Sequence, residues 1–573
     1  MDLERLISVA RGDELADLVL RNGQLVDVLS GEVCPTSIAV AQGHIVGLGG
    51  GCRGATVVDL RGGYVCPGFI DAHVHMESSL VRPREFARAV VGCGVTTIVS
   101  NPHEIANVLG VEGIRFMLHD ARNAPLDILF TIPSCVPATS LATSGARLTR
   151  RDIRMLLKEP GSVGLGEVMD FPGVVSGDRR LLGEIGSCRG LPIDGHCPGL
   201  SGRELNAYAA AGINSEHECT SVAEAREKLR NGMKIFIREG SAARNLKALL
   251  PLVTPHNERW LCFCTDDRGH SDIVKEGSVD HLVRMAIDGG VPPIMALRMA
   301  TLNPAEHYRL FDRGLIAPGR RADLVVFRDL YEPRAEQVYC QGVLVAENGT
   351  EVRREPIAAA GVCEGKVANT VHVDWAGIDF RIPVEGNRVR VIGAVEGQLI
   401  TESVVMEPLT RNGRAESDPD RDLLKIAVIE RHRASGNVGL GFVKGIGLKR
   451  GAMAGTVAHD HHNLIVLGAD DLSMMTAAEA VASVGGGMAV TEGSAVLALL
   501  PLPIAGLMSD RSLEVVSDKT AALAYAVKEL GSKLRDPFMT MGFLGLEVIP
   551  RLKLTDLGLV DVDRQNIVPL FTT

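Results

Sequence analysis

Apolar and polar positions along the first 66 residues come in short alternating runs: Asp17-Leu18-Val19-Leu20, Gln24-Leu25-Val26-Asp27-Val28, Ser37-Ile38-Ala39-Val40 and His44-Ile45-Val46-Gly47-Leu48. A two-residue polar period with turn residues between predicts small antiparallel strands, and Asn22-Gly23 between the first two runs predicts a hairpin turn. From Pro67 the pattern changes. Helical segments alternate with short apolar runs at Phe69-Ile70, 96–100, 127–132, 164–167, 192–196, 212–217, 233–237 and 260–266. Strand and helix in strict alternation predict βα units and a parallel sheet.

Eight such units in roughly 250 residues have the size of a (β/α)8 TIM-type barrel, whose functional groups gather at the C-terminal ends of the strands. The turn at Gly314 to Arg320 and the strand ending at Phe327 are placed to complete the N-terminal sheet. Beyond residue 365, candidate strands at 388–392 and 464–468 and candidate helices at 476–484 and 519–530 form a further unit. The expected fold class is therefore α/β: a barrel over 67–314, a small composite β-sandwich from 1–66 plus 315–364, and a C-terminal α+β domain over 365–573.

Polar residues close these strands. His73 and His75 alternate on one strand end, so both imidazoles point the same way and can reach one metal ion. Asn101, His103 and Glu104, then Glu167, His196, His217 and Asp266, each follow an apolar run. Imidazoles and carboxylates converging on one barrel mouth predict two divalent metals of the zinc, manganese or iron kind rather than calcium or cuprous copper.

Composition narrows the field. The 573 residues carry 60 basic and 70 acidic side chains, a net charge of -10 with no basic block, which argues against a nucleic-acid partner. The N-terminus carries acids and no apolar run, and the longest apolar stretch, Ala495 to Met508, is short and interrupted by Pro501 and Pro503. No membrane association and a cytoplasmic location are expected. Twelve cysteines without framework spacing, all at or before Cys363, read as reduced thiols. His75-Met76-Glu77 imitates half of a zinc cytidine-type deaminase signature, but no Pro-Cys-x-x-Cys completes it.

The chain resembles the amidohydrolase superfamily through Pro67 to His75, the ordered His196, His217 and Asp266, Thr301 to Ala305, and Gly319 to Leu324. More narrowly it is similar to the bacterial adenine deaminases. That match runs through His73 to Ser79, Asn101 to Val108, Pro133 to Ala138, Gly166 to Met169, Asp194 to His196, Thr265 to Arg268, Val457 to Asn463 and Gly506 to Ser509. Two positions depart from the family pattern: Asn101 stands where Asp is expected before Pro-His-Glu, and His461 where Ser is expected.

The resemblance implies hydrolytic deamination of adenine to hypoxanthine and ammonia. It implies a metal set of His73, His75, Glu167, His196, His217 and Asp266, with two divalent ions, manganese first and iron or zinc as alternatives. Asp266, Glu167, His103 and Glu104 would serve catalysis, and Glu77, Ser78, Ser134, Asp267 and Arg268 would shape substrate binding. Homodimers or larger assemblies of one chain are expected, since barrels of this superfamily often pair. Two other readings remain open at this point: an amidohydrolase acting on another heterocycle or cyclic amide, and a non-catalytic amidohydrolase-like assembly or regulatory protein, which should have lost ligands. The cluster His459 to His462 invites a second metal site, reads more readily as a loop before the strand at 464–467, and leaves open a catalytic or pocket-closing role.

Overall fold

The computed structural model describes residues 2–241, 243–352, 365 and 367–572. The predicted boundary at 364 and the last cysteine, Cys363, lie outside those residues, and the other eleven cysteines are free thiols. Among the described residues no helix is long and apolar enough to cross a membrane.

Eight parallel strands carry the centre of the molecule: β1 (Phe69–Val74), β2 (Val95–Ser100), β3 (Asp127–Ile132), β4 (Ser162–Val168), β5 (Ile193–Gly195), β6 (Ser215–Glu216), β7 (Lys234–Arg238) and β8 (Leu261–Cys264). β1 to β5 are hydrogen-bonded in sequence order as one sheet, and β6 to β8 as another. At the far edge the chain past β8 returns to β1: Asp266 N–H donates to the His73 carbonyl at 3.0 Å, and His75 N–H donates to that of Asp266 at 3.3 Å. Every residue of β1, β2, β7 and β8 is buried. Continuous Val, Ile, Phe and Thr runs suit strands covered on both faces. The connecting helices carry their own start signals, such as Pro at the first turn of Pro83–Val91 and a capping box in which Thr149 and Asp152 satisfy each other's backbone N–H before Arg150–Leu156.

A nine-stranded sheet flanks this centre, and it joins distant sequence. Tyr64–Pro67 pairs antiparallel with Leu324–Phe327, with Leu324 opposite Pro67 and Phe327 opposite Tyr64. The expected Asn22-Gly23 hairpin is not there. One strand, Ala16–Asp27, runs straight through it and pairs from Leu18 to Asp27 with Glu32–Ala41, with a register shift between Leu20 and Gly23. Asn22 takes φ of 58° and its amide donates to both oxygens of Asp59 at 3.0 and 3.1 Å, so the pair makes a bulge instead of a turn.

The C-terminal residues build a second nine-stranded sheet around Leu424–Ile429 and Leu464–Gly468, with the helices Asp471–Ser483 and Leu513–Glu529 against it. Both predicted helices are present and start earlier than the sequence pattern suggested. This unit is bonded onto the parallel strands' loops. Ser509 N–H donates to the Leu80 carbonyl at 2.8 Å, Thr143 N–H to Asp556 at 2.8 Å, and Thr139 Oγ1 to Glu547 at 2.6 Å. Those contacts set a roof over the strand ends.

Candidate metal centre and its roof

The strand ends deliver the predicted set to one point. His73 closes β1, His75 follows it, Glu167 lies in β4, His196 and His217 follow β5 and β6, and Asp266 follows β8. All but His196 are buried, and His196 is nearly so. Glu167 is at the centre. Its Oε1 lies 3.1 Å from His73 Nε2 and 2.9 Å from His75 Nε2, while its Oε2 lies 2.9 Å from His196 Nδ1 and 3.7 Å from His217 Nε2. One carboxylate thus divides its two oxygens between two pairs of imidazoles. Asp266 Oδ1 stands 3.4 Å from His75 Nε2 and 3.7 Å from His73 Nε2.

Electrostatics follow from this packing. Burial alone would raise the Glu167 and Asp266 carboxyls, but the imidazoles around Glu167 and the Arg238 guanidinium beside Asp266 hold both well below the usual carboxylate range. Burial would lower His73, yet Asp194 and Glu167 draw a proton onto it and push it up to about 9. His217, stacked on His73 with ring centroids 4.3 Å apart, is driven down to about 3 by burial and by that neighbour, so it stays neutral.

These side chains fit divalent ions. His217 Nε2 is buried and has no hydrogen-bond partner among the described residues. His73 Nε2 and His75 Nε2 face each other at 3.1 Å across the same carboxylate oxygen. Ligand atoms of His73, His75 and Asp266, and of His73, Glu167 and His217, each lie within 4.8 Å of one another. Positive charge that the carboxylates draw onto His73 is charge a dication can supply instead. The other imidazole nitrogens are oriented from behind: His75 Nδ1 donates to the Asn101 carbonyl at 2.9 Å, and Asp194 Oδ2 lies 3.9 Å from His73 Nδ1. Asn101, the departure noted in the sequence, donates its amide to Glu167 Oε1 at 3.0 Å, and its own buried Oδ1 has no donor among the described residues. An Asp there could not make that donation while ionised.

The remaining predicted residues divide. His103, Glu104 and Asp267 line the small cavity over this cluster, about 40 Å³ in volume. Ser78 Oγ donates to Asp267 Oδ1 at 2.5 Å and borders the adjoining cleft of about 1050 Å³. Burial raises the Glu77 carboxyl to about 7; its Oε1 accepts from Ile105 N–H at 3.3 Å. Ser134 lies behind the site, its Oγ donating to the Glu167 carbonyl at 2.6 Å. Arg268 is not brought to the cavity. Asp266 adopts φ of 53°, the chain turns, and the Arg268 guanidinium is fully buried on the far side against the Gly277 and Glu239 carbonyls and Glu276.

Four participants have no counterpart in the predicted set. Arg238, ending β7, donates Nη1 to Asp266 Oδ2 at 2.8 Å and grips Glu218 through two nitrogens. Glu218 Oε1 in turn stands 3.5 Å from His217 Nε2 and 3.8 Å from His196 Nδ1. His459 and Asp460 of the C-terminal unit line the cavity, with Leu399, Phe543, Leu546, Val548 and Ile549 as its apolar roof. His459 Nδ1 and His462 Nε2 each bond one oxygen of Glu104, the former at 2.5 Å. The cluster forms a turn at 459–461, as the loop reading expects, and its His459 and Asp460 line the cavity, as the pocket-closing reading expects.

Two family models match the chain. The amidohydrolase family covers residues 64–367, and the adenine deaminase C-terminal domain covers 398–566. The chain belongs to the amidohydrolase family, in its adenine deaminase branch. The adenine deaminase of Desulfatibacillum aliphaticivorans is 48% identical over 571 residues, 99% of each chain. Adenine deaminase 2 of Carboxydothermus hydrogenoformans is 48% identical over 570 residues, again 99% of each, and the adenine deaminase of Methanothrix thermoacetophila is 46% identical over 579 residues, all of both chains. The likeness of this amidohydrolase to these relatives therefore includes the roof as well as the strand-end cluster.

Proposed function

We propose that this amidohydrolase deaminates adenine by hydrolysis, giving hypoxanthine and ammonia. The reaction class rests on one observation, the division of the Glu167 carboxylate between His73 with His75 on one side and His196 with His217 on the other. The substrate comes from the full-length relatives, which carry the name adenine deaminase. In this reading the eight strands close as a (β/α)8 barrel over 67–314, with the composite sheet and the C-terminal unit as separate domains. His73, His75, Glu167, His196, His217 and Asp266 hold two divalent ions, manganese by preference. When bound, such ions supply Lewis acidity that ionises water near neutral pH.

The chain's own groups do the rest. Asp266 Oδ1 accepts the proton of the attacking water and returns it to the departing amine, while Arg238 holds Oδ2 and so fixes which oxygen faces the reaction. His103 donates a proton to ring nitrogen N1, and Glu104 Oε1, 3.5 Å from His103 Nε2, supports its cationic form. The apolar roof excludes bulk water and lies against a flat heterocycle. Homodimer formation and a cytoplasmic location belong to the same reading.

The test is ammonia release from adenine by protein reconstituted with manganese, iron or zinc, with metal counted by mass spectrometry. Protein holding two ions per chain that releases no ammonia from adenine would refute the substrate assignment.

A further inference from the structure

We infer that Asp460, from the C-terminal unit, is a substrate-binding residue that accepts a hydrogen bond from the imidazole N–H of the purine. The inference rests on the adenine reading above and adds the group that recognises the far edge of the ring.

Six carboxylates line the cavity: Glu104, Glu167, Glu218, Asp266, Asp267 and Asp460. Five of them have named donors or cations. Glu104 is held by His459 and His462, Glu167 by Asn101 and His196, Glu218 and Asp266 by Arg238, and Asp267 by Ser78. Asp460 differs. It is buried at 3% exposure, its Oδ1 comes only within 3.8 Å of His103 Nε2, and its Oδ2 has no hydrogen-bond partner among the described residues. A buried oxygen without a donor is costly, more so when charged, unless something entering the cavity satisfies it.

Position selects the donor. Asp460 is reached from Glu167 by crossing the ring of His103, whose Nδ1 lies 3.7 Å from Glu167 Oε1. A purine whose C6 lies over Glu167 extends its five-membered ring away from that cluster and under the roof. In adenine that ring carries one N–H, on N7 or N9 according to tautomer, and a carboxylate can only accept. The surrounding roof residues Phe543, Leu546, Val548 and Ile549 are apolar, and the neighbouring His459 is already bonded to Glu104 through Nδ1. Selectivity for the free base over N9-substituted purines follows, because a substituent at N9 removes the imidazole N–H in either tautomer.

The experiment compares wild type, D460A and D460N, each reconstituted with the same metal. It measures kcat/KM on adenine, activity on 9-methyladenine, hypoxanthine binding by calorimetry, and metal content. Loss of a hydrogen bond to a charged group predicts a fall of roughly 10- to 100-fold in adenine kcat/KM and hypoxanthine affinity for D460A, with metal content unchanged. The preference for adenine over 9-methyladenine should narrow by a similar factor. D460A that retains wild-type affinity for hypoxanthine overturns the inference, as does loss of metal, which would make Asp460 part of the metal centre. If D460A does not fold, D460N decides, since weakened hypoxanthine binding supports the role and unchanged binding removes it. Wild type inactive on adenine defeats the parent reading. Wild type active on adenine with undiminished D460A defeats this inference alone.

Discussion

Glu167 and Glu104 are both buried carboxylates set among imidazoles, and they are built differently. Around Glu167 the nitrogens stand at 2.9–3.7 Å, each oxygen faces two of them, and His217 Nε2 has no hydrogen-bond partner among the described residues. Around Glu104 each oxygen takes one short hydrogen bond from an imidazole, His459 at Oε1 and His462 at Oε2, and Oε1 also lies 3.5 Å from His103 Nε2. Both sets have the composition of a metal site, and both bring their ligand atoms within 4.8 Å. Only the first leaves lone pairs without protons to meet them. Composition and proximity nominate a metal site, while unsatisfied lone pairs separate a cation cage from a salt-bridged joint.

Substitution can test that contrast directly. Glu167→Ala should lower the bound metal below two ions per chain and cut kcat/KM on adenine by at least about 10³-fold, as metal analysis and steady-state kinetics would register. Glu104→Gln should leave the metal count at wild type and lower kcat by roughly 10²-fold through loss of support for the His103 proton. It should also lower the melting temperature by a few degrees, since the joint to the C-terminal unit loses its charge. A metal deficit in that variant would mean that the two carboxylates belong to one site. Arg238→Met should weaken metal binding or activity by about 10-fold, measured by competition with a chelator, because Asp266 keeps its place in the chain but loses the cation that orients it. Unchanged affinity and rate would show that backbone pairing with β1 alone positions Asp266.

The strand-end cluster was legible in the sequence because its signals are local. His73 and His75 sit two apart on a strand, and His196, His217 and Asp266 each end an apolar run, so the two-residue period and the topology of parallel strands place them together. Arg238 was not legible, since Lys234-Ile-Phe-Ile-Arg238 reads as a strand with solvated ends while both cations are buried. Glu218, one residue past His217, looked like loop. The bond from His459 to Glu104 spans 355 residues, and no local period encodes it. Asn22-Gly23 shows the opposite failure. The dipeptide predicts a hairpin, but the positive φ that Asn22 takes serves a bulge as well, and pairing with Glu32–Ala41 decides between them. Arg268 lies elsewhere because the chain turns at Asp266, which adopts a positive φ: Asp267 still lines the cavity, while the Arg268 guanidinium is buried against Gly277, Glu239 and Glu276.

The joint at Glu104 also bears on modularity. A chain shortened to end near residue 370 would retain all eight strands and every side chain around Glu167. It would lose both imidazoles that neutralise Glu104, together with Leu399 and the Phe543 to Ile549 segment that covers the cavity. The truncated protein would keep the Glu167 cluster but no apolar roof over it. The C-terminal unit therefore supplies the cover of the Glu167 cavity, and the eight strands alone would leave that cavity open.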